Sequence, residues 1–363
     1  MDKIKKINAE RIKWIDVGKG IGLLLVILGH LVTYGQFVFN WIFSFHMPIF
    51  FFLSGYVLKS EVKNLKPFLK KIGINLIIPY FVFVIVGLVV SLIIPGWQPT
   101  SYKVVFLDVF YAVTPESLHV GQIWFLFCLA VVQILFWLYL KLNLKNKYSI
   151  IGSVCLFAIV AFLIHKLNIY FLVDKVYYRF LPFKLDTAFM GLFFFSIGYY
   201  AKLTDVFREL PVKKVNLNIF FILIALGINI FFGAYLNGTV NLADNNYNNL
   251  IYYVIAAFAG ILFVIYLSKL LENDILLSYM GINSLSIFSS HSFFLYLYTY
   301  IISIIFGTTY MHLINIPLWL CLVGVVFIGS ISLIVPVIYN NTVQKLLIRM
   351  KHSSVLNFVF NII

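Results

Sequence analysis

Ten apolar runs, each long enough to cross a bilayer, alternate with polar segments along this chain of 363 residues. A helix needs about 20 predominantly apolar residues to span the hydrocarbon layer. Since that layer offers no water to backbone groups, each span is expected to satisfy its own hydrogen bonds as a helix. The runs are residues 15–36, 39–58, 73–95, 122–140, 149–166, 185–201, 217–236, 250–270, 282–306 and 315–339. They predict an all-α integral membrane protein, one bundle of about ten transmembrane helices in a single domain over residues 1–363.

The composition excludes an ordinary soluble domain. Hydrophobic residues make up 62% and charged residues 11% of the chain, against about 45–50% and about 25% in soluble domains. The formal charge of +14 would suit a nucleic-acid binder, but the cations lie in short loops without a continuous basic face, so we expect no nucleic-acid partner. Cys128, Cys155 and Cys321 lie inside apolar runs without metal-ligand spacing. We therefore expect neither a disulfide framework nor a bound metal.

The distribution of Lys and Arg predicts the orientation of the bundle. With the N-terminus inside, inward segments hold 21 of the 27 Lys and Arg residues, outward loops hold five, and Lys19 lies within the first run. Cytoplasmic loops carry the excess of positive charge in membrane proteins. We therefore expect both termini in the cytoplasm, as segments 1–14 and 340–363. We expect a multi-pass protein among the lipids of a cell membrane, either a bacterial inner membrane or a plasma membrane.

The first apolar run carries three ionisable residues, Asp16, Lys19 and His30. Lys19 and His30 are eleven residues apart, about three helical turns, so they share a face with a rise of about 16 Å between them. Asp16 lies three residues before Lys19 and can pair with it. Ionisable groups are costly in a membrane and usually mark function in the bundle interior. The alternative for Asp16 and Lys19 is that their side chains extend to the cytoplasmic interface.

The second run places His46 just before Pro48, in the string FHMP. Proline suits the first turn of a helix but not its interior, so this string predicts a helix start or a broken turn. His46 would then lie near the depth of His30. Two imidazoles at one depth can transfer protons, because histidine titrates near neutral pH. A structural core histidine is the alternative.

Further candidates lie in later runs and in two long outward loops. In the ninth run, Asn283 and His291 are expected to contact substrate or to order His30, whereas Ser286 and Ser290 fit helix packing better. Asp186 can pair with Lys184 or Arg179, or bind a sugar; Trp124 suits an interfacial anchor or a sugar ring. The outward loops are residues 96–121, with Glu116 and His119, and residues 166–184, with Arg179. Loops on rigid scaffolds often carry binding sites.

Taken together, these strings resemble the acyltransferase family 3 of membrane O-acyltransferases. The family's hallmark is an Arg or Lys, ten intervening residues and a His, which Lys19 and His30 match. The resemblance spans nearly the whole chain. The matching strings are D-x-x-K-G-I from Asp16, L-G-H ending at His30, F-H-M-P, F-F-L-S-G-Y, Lys70 and Lys71, IIPY at 77–80, IWFL at 123–126, LPFKLD at 181–186 and MGINSLSIFSSH ending at His291.

The resemblance implies transfer of an acyl group, usually acetyl from cytoplasmic acetyl-CoA, to a hydroxyl of a cell-surface or lipid-linked glycan. It implies that His30 is the catalytic base and that Lys19 places the thioester donor. We expect His46 to assist catalysis, and Lys70 and Lys71 to meet the phosphates of CoA. The hallmark position holds Lys instead of the more frequent Arg, which weakens bidentate phosphate binding. The expected acceptor-binding residues are Asp16, Trp124, Arg179, Asp186, Asn283 and His291.

Two other functions compete with the enzyme. A polysaccharide exporter or another secondary transporter also needs intramembrane Asp, Lys and His residues. Paired broken helices in equivalent halves of the chain would favour such a transporter. The sequence shows no second copy of the first two runs. A purely structural or sensory bundle explains the buried charges worst. The acceptor sugar, the length of the acyl group and the oligomeric state stay open.

Overall fold

A computed structural model describes the chain from residue 12 to residue 345, with short gaps. The described residues are 12–32, 36–58, 64–94, 96–144, 146–167, 170–179, 181–207, 215–307 and 316–345. Most of the predicted terminal segments 1–14 and 340–363 lies outside these residues, and so does the side chain of Arg179.

Each of the ten predicted apolar runs contains a helix, so the predicted all-α fold class is confirmed. In chain order the helices are α1 (Lys13–Leu31), α2 (Phe37–Phe43), α3 (His46–Tyr56), α4 (Leu65–Ile72), α5 (Ile78–Ile93), α6 (Tyr102–Phe110), α7 (Trp124–Leu140), α8 (Lys147–Leu167), α9 (Leu185–Leu203), α10 (Val215–Asn229), α11 (Leu250–Leu270), α12 (Ile275–Ile282), α13 (Ser284–Ile305), α14 (Leu318–Ser332) and α15 (Val335–Tyr339). Single π-helical stretches join α4 to α5, extend α10 over Ile230–Asn237 and follow α15.

Nine helical stretches among the described residues are long and apolar enough to cross a membrane. The sixth predicted run is the exception. It forms α9, which has 19 residues but carries Asp186 near its start and Lys202 near its end. Most of α9 is buried against α3, α7 and α8. Since its neighbours are protein and not lipid, this helix does not need the high hydropathy of a lipid-facing span.

Helix α1 lies in the bundle interior because glycines let its neighbours approach its backbone. A Cβ atom at Gly20 would overlap the backbone of Leu277 in α12, and one at Gly281 of α12 would overlap the carbonyl oxygen of Asp16. The two helices therefore touch main chain to main chain near the N-terminal end of α1. Close approach of this kind is typical of helix pairs in membranes.

A second close crossing joins α3 to α9. A Cβ at Gly55 would overlap the carbonyl oxygen of Phe195, and a Cβ at Gly198 would overlap that of Phe52. The contact is reciprocal, so separating α3 from α9 would remove the packing at both glycines. It fixes the C-terminal half of α3, the helix that begins at His46, against α9.

A small cap covers the predicted outward end of the bundle. The predicted loop 166–184 contains an antiparallel hairpin, β1 (Tyr170–Val173) and β2 (Val176–Arg179), in which Tyr170 pairs with Arg179. The loop 96–121 contains α6 and a 3₁₀ turn at Glu116–Leu118. The Tyr178 hydroxyl donates to Oδ1 of Asp108 (3.0 Å), and the Ser117 N–H donates to its Oδ2 (3.1 Å). Asp108 thus ties the hairpin to the loop.

We predict that Gly55→Ala destabilises the protein by about 2–3 kcal/mol, because a methyl group at this crossing overpacks the α3–α9 contact. Thermal unfolding in detergent measures the loss. Gly227→Ala is the matched control, since nothing lies within 4 Å of its added Cβ and Ala is a better helix former than Gly by about 1 kcal/mol. Equal melting temperatures for Gly55→Ala and Gly227→Ala would contradict the close crossing.

Candidate active site: a histidine-lined cavity

The break between α2 and α3 places His46. Phe45, with φ −145° and ψ −15°, leaves the helical region, and α3 starts at His46, as the string FHMP predicts. The Ser44 hydroxyl donates to the carbonyl of Trp41 (2.7 Å) and accepts from Nδ2 of Asn229 (2.9 Å). Asn229 also donates to the carbonyl of Ala256 (2.7 Å). The break is therefore fastened to α10 and α11.

Beside this break lies a cavity of about 470 Å³ at the predicted outward end of the bundle. Its wall combines residues from the ends of α1, α2 and α3, from α13, and from the outward connections after α6 and before α11. Four histidines line it, namely His30, His46, His119 and His291. Their number raises the question of a metal, but no group of three or more His, Cys, Asp or Glu side chains among the described residues is placed to hold an ion.

His30 and His291 face each other across α1 and α13. Their ring centroids are 5.3 Å apart, and the His30 ring is exposed to the cavity. His291 is only 1% exposed, and its Nδ1 lies 2.6 Å from the carbonyl oxygen of Phe288. Because a carbonyl only accepts, Nδ1 carries the proton and Nε2 of the neutral ring is an acceptor. This buried Nε2 has no hydrogen-bond partner among the described residues.

His46 is oriented in the same way. Its Nδ1 lies 3.0 Å from the carbonyl oxygen of Ile42, so Nδ1 donates and Nε2 accepts when the ring is neutral. The Phe43 ring contacts both imidazoles, with centroids 4.5 Å from His46 and 6.0 Å from His30. The predicted common depth of His30 and His46 is thus matched by a common cavity, with an aromatic ring touching each of them.

One wall of the cavity is a hydrogen-bonded link between the loop 96–121 and α13. Nε2 of Gln122 donates to Oγ of Ser292 (2.6 Å) and to the carbonyl of Ser289 (3.1 Å), and Oγ of Ser292 donates to the carbonyl of His119 (3.2 Å). Above this link the rings of Trp97, His119 and Tyr296 contact one another, with centroids 4.4–5.3 Å apart. Burial lowers the pKa of His119, which keeps this imidazole neutral at pH 7.

Two carboxylates and a tryptophan complete the lining. Glu116 comes from the turn after α6, and Asp244 from the connection before α11, where it accepts from the Asn241 side-chain amide. Trp124, at the start of α7, is buried and faces the cavity. Behind it the Lys184 ammonium donates to the carbonyl of Ala243 (2.9 Å) and lies 5.6 Å from the centre of the Trp124 ring.

Three phenylalanine rings pack together beside the cavity, and one of them, Phe288, is part of its lining. Phe50, Phe125 and Phe288 are buried and contact each other, with centroids 5.6–6.2 Å apart. The Phe50 ring lies against Gly22, 2.9 Å from where a Cβ would stand. Gly22 lies between Lys19 and His30 on α1, so the Phe50 ring occupies the space between the level of Lys19 and the level of His30.

The structure brings together only part of the predicted site. His30, His46, His291 and Trp124 share the cavity, whereas Lys19, Asp16, Asp186 and Asn283 do not line it. Asp16 and Lys19 lie at the opposite end of α1, and Asn283, between α12 and α13, donates to the carbonyl of Tyr279. Asp186 accepts from the Thr187 N–H (2.8 Å) next to the cavity wall. Lys70 and Lys71 lie on α4, where Lys71 is exposed.

The family of the chain follows from a family model. This family model, which describes the acyltransferase domain of acyltransferase family 3, matches residues 12–335. The chain belongs to this family. No curated protein and no solved structure matches it. The resemblance noted in the sequence is therefore confirmed over nearly the whole chain, and with the bundle of apolar helices it makes the protein a multi-pass membrane acyltransferase.

Sequence reasoning missed several residues that the acyltransferase places at the cavity. Asn241 and Asp244 lie in the connection of residues 238–249, whose run of asparagines is a signal of irregular, hydrogen-bonded structure. Tyr296 and Ser292 were hidden within the ninth run. Glu116 and His119 belong to the predicted outward loop 96–121, and the folding of this loop onto α13 places them at the cavity.

We predict that Tyr178→Phe loosens the acyltransferase's outward cap by about 1.5–3 kcal/mol, because it removes a donor to a buried carboxylate. Burial raises the pKa of Asp108, opposed by hydrogen bonds from Ser117 and Tyr178 and by the charge of Lys184. Since the lost hydrogen bond favours the ionised carboxylate, the destabilisation is largest above this raised pKa and shrinks as the pH falls through it. Amide hydrogen exchange in residues 96–121, followed against pH, measures the effect.

The matched control is Tyr177→Phe, which changes the neighbouring side chain on the other face of the same strand. Tyr177 is 72% exposed, whereas Tyr178 is 3% exposed. Exchange in residues 96–121 should not change in this control. Identical exchange in both variants would show that the Tyr178–Asp108 hydrogen bond does not hold the cap.

Proposed function

We propose that this acyltransferase moves an acetyl group from acetyl-CoA to a hydroxyl of a cell-surface or lipid-linked glycan, with His30 as the general base. The observation that carries the proposal is the cavity itself. It exposes one imidazole, His30, and flanks it with two others, His46 and His291, whose Nδ1 atoms are engaged by backbone carbonyls. A base, acceptor nitrogens and an aromatic lining at an outward opening suit a sugar hydroxyl.

The chemistry asked of His30 is proton removal. A sugar hydroxyl is a poor nucleophile at pH 7, and a positioned base accelerates its attack on an acyl carbonyl typically 10²–10⁴-fold. As the oxygen attacks, its proton passes to His30, the new ester bond forms and the thiolate leaves. His291 is 5.3 Å from His30 between ring centroids, so a proton on His30 can be stabilised or relayed by the acceptor Nε2 of His291.

The donor side of the proposal rests on cytoplasmic cations. When bound, acetyl-CoA supplies an activated thioester and several negatively charged phosphate oxygens. Helix α4 carries Lys66, Lys70 and Lys71 within two turns, a cationic surface that fits such phosphates. Lys19 lies deeper, about 16 Å below His30 along α1, where its charge would guide the thioester arm.

The Phe50, Phe125 and Phe288 rings separate the two sides in this conformation. A thioester arriving along α1 from Lys19 has to displace the Phe50 ring from Gly22 before its carbonyl reaches His30. Closed rings keep water and small solutes from passing between the sides when no donor is bound. The arrangement suits an enzyme whose donor and acceptor come from opposite sides, and family membership favours this interpretation over an exporter.

We predict that His30→Ala lowers kcat by about 10²–10⁴-fold while the protein stays folded, because it removes the base and leaves the packed helices intact. Transfer of labelled acetyl from acetyl-CoA to a glycan acceptor, with purified protein in vesicles, measures the loss. His165→Ala is the control, because His165 lies near the end of α8 and does not line the cavity. Undiminished transfer by His30→Ala would exclude His30 as the base.

We predict that the double variant Lys70→Gln and Lys71→Gln raises the KM for acetyl-CoA about three- to tenfold. The reason is that it removes two solvent-accessible charge contacts with the phosphates of CoA. The KM for the acceptor should not change. Acetyl-dephospho-CoA, which lacks the 3′-phosphate, tests the contact directly, because the two substitutions should matter less for this donor. Lys103→Gln, on the exposed outward cap, is the control; an equal rise in KM for Lys103→Gln would remove the case for α4.

A further inference from the structure

Helix α6 turns its aromatic face away from the protein. Tyr102, Phe106 and Phe110 follow one another at the spacing of one helical face and are 74%, 61% and 49% exposed. The opposite face carries the buried Asp108, which holds the hairpin through its hydrogen bond with Tyr178. A helix at a water-exposed surface has the reverse polarity, with apolar residues toward the protein and polar residues outside. Water is therefore an unfavourable solvent for this face.

The C-terminal end of α6 lies beside a membrane-spanning stretch and well inside it. The Phe110 and Phe81 rings contact each other, with centroids 5.9 Å apart, and the Tyr80 hydroxyl donates to the carbonyl of Val109 (2.8 Å). Phe81 lies twelve residues before the end of the helical stretch Leu65–Ile93, which is about 18 Å along a helix. The chain leaves α5 at its predicted outward end, and α6 leads it back inward to the level of Phe81.

The aromatic face of α6 is continuous with the exposed apolar face of α5. Five apolar side chains between Phe81 and the end of α5 are exposed, namely Ile85, Val86, Val89, Leu92 and Ile93. They belong to a stretch that is long and apolar enough to cross a membrane, so acyl chains are their expected surroundings. Because the Phe110 ring contacts the Phe81 ring, the face of α6 reaches the same lipid.

The backbone at the end of α6 meets the requirement of a dry environment. The last carbonyls of a helix lack partners within the helix, and an unsatisfied carbonyl is costly in lipid. Four carbonyls at this end accept hydrogen bonds of 2.8–2.9 Å, those of Leu107, Asp108, Val109 and Tyr111. In the segment that follows, Val113, Leu118 and Val120 are at most 1% exposed. Irregular backbone at membrane depth is tolerated where protein covers it in this way.

We propose that α6 is a re-entrant helix seated in the leaflet on the predicted outward side, with lipid as the partner of its aromatic face. Tyr102 and Lys103, at the outward end of α6, lie among the headgroups, where such residues are typical. Phe106 and Phe110 contact acyl chains. The cavity-lining Thr114 follows four residues after Phe110, so the lipid contact also holds this part of the cavity wall. The lipid contact does not depend on the proposed acyl transfer.

Spin labels on single cysteines measure the depth of α6. The full-length protein carries Cys155→Ser, which removes the exposed thiol, and is reconstituted into phosphatidylcholine vesicles after labelling at Tyr102→Cys, Phe106→Cys or Phe110→Cys. Molecular oxygen concentrates in lipid, whereas a charged nickel chelate stays in water. The ratio of oxygen to nickel accessibility should rise several-fold from Tyr102→Cys to Phe106→Cys, and again to Phe110→Cys. Equal ratios at the three positions overturn the re-entrant placement.

Ile85→Cys is the matched control for lipid. Ile85 is 60% exposed and lies one helical turn outward of Phe81, as Phe106 lies one turn outward of Phe110, so the two labels should give similar ratios. Lys175→Cys is the control for water, because Lys175 is exposed in the turn of the β1–β2 hairpin of the same cap. A ratio at Phe106→Cys equal to that at Lys175→Cys overturns the proposal.

Other partners of the aromatic face give a different result. Low accessibility of Phe106→Cys to both reagents means that a second copy of the chain or another protein covers this face, which overturns the lipid assignment. If a labelled variant does not fold, Phe106→Trp keeps an aromatic ring at this position. Its added fluorescence should be quenched by brominated phosphatidylcholine and not by aqueous iodide. Quenching by iodide, or by neither reagent, overturns the proposal.

Discussion

The cost of placing ionisable groups inside a membrane governs this structure. An imidazole or ammonium in hydrocarbon is unfavourable by several kcal/mol unless the protein gives it partners or water. The bundle meets this requirement at the outward end, where His30 opens to a cavity and His46 and His291 each donate Nδ1–H to a backbone carbonyl. The helix break at Ser44 and Phe45 and the glycine crossings place these groups. The site is thus a direct consequence of how the helices pack.

The same packing places the predicted cationic residues and the cavity at different levels of the bundle. Lys19, Lys70 and Lys71 lie toward the predicted inward side, and the cavity lies at the predicted outward side. The Phe50, Phe125 and Phe288 rings pack together between these levels, and the Phe50 ring lies against Gly22. In the proposed function, the cations of α4 meet the phosphates of acetyl-CoA and the cavity holds the acceptor.

Much of the fold was predictable because a membrane imposes a simple rule on sequence. Apolar runs of about 20 residues give helices, and the helical period put Lys19 and His30 on one face of α1. Proline geometry gave the helix start at His46. Depth along a helix was predictable only where the register was known: Asn283 shares the ninth run with His291 but lies eight residues away, about 12 Å along the axis, and so misses the cavity.

The outward connections were not predictable, because irregular structure has no period to reveal it. Glu116, Asn241 and Asp244 reach the cavity through turns that depend on contacts distant in sequence, such as Asp108 with Tyr178 and Gln122 with Ser292. These contacts are single hydrogen bonds between segments that the sequence gives no reason to pair. The polar lining of the cavity depends on these segments.

The central claim is that acyl transfer takes place in a cavity open to the outside. The most direct measurement replaces the cavity residue Thr114 with cysteine in a background where the exposed Cys155 is serine, since Cys128 and Cys321 are buried. Right-side-out vesicles are treated with a membrane-impermeant maleimide, and acetyl transfer to the glycan is then followed. The account predicts that the reagent labels the new cysteine from outside and abolishes transfer. Labelling only after the vesicles are opened, or full transfer by labelled protein, would contradict it.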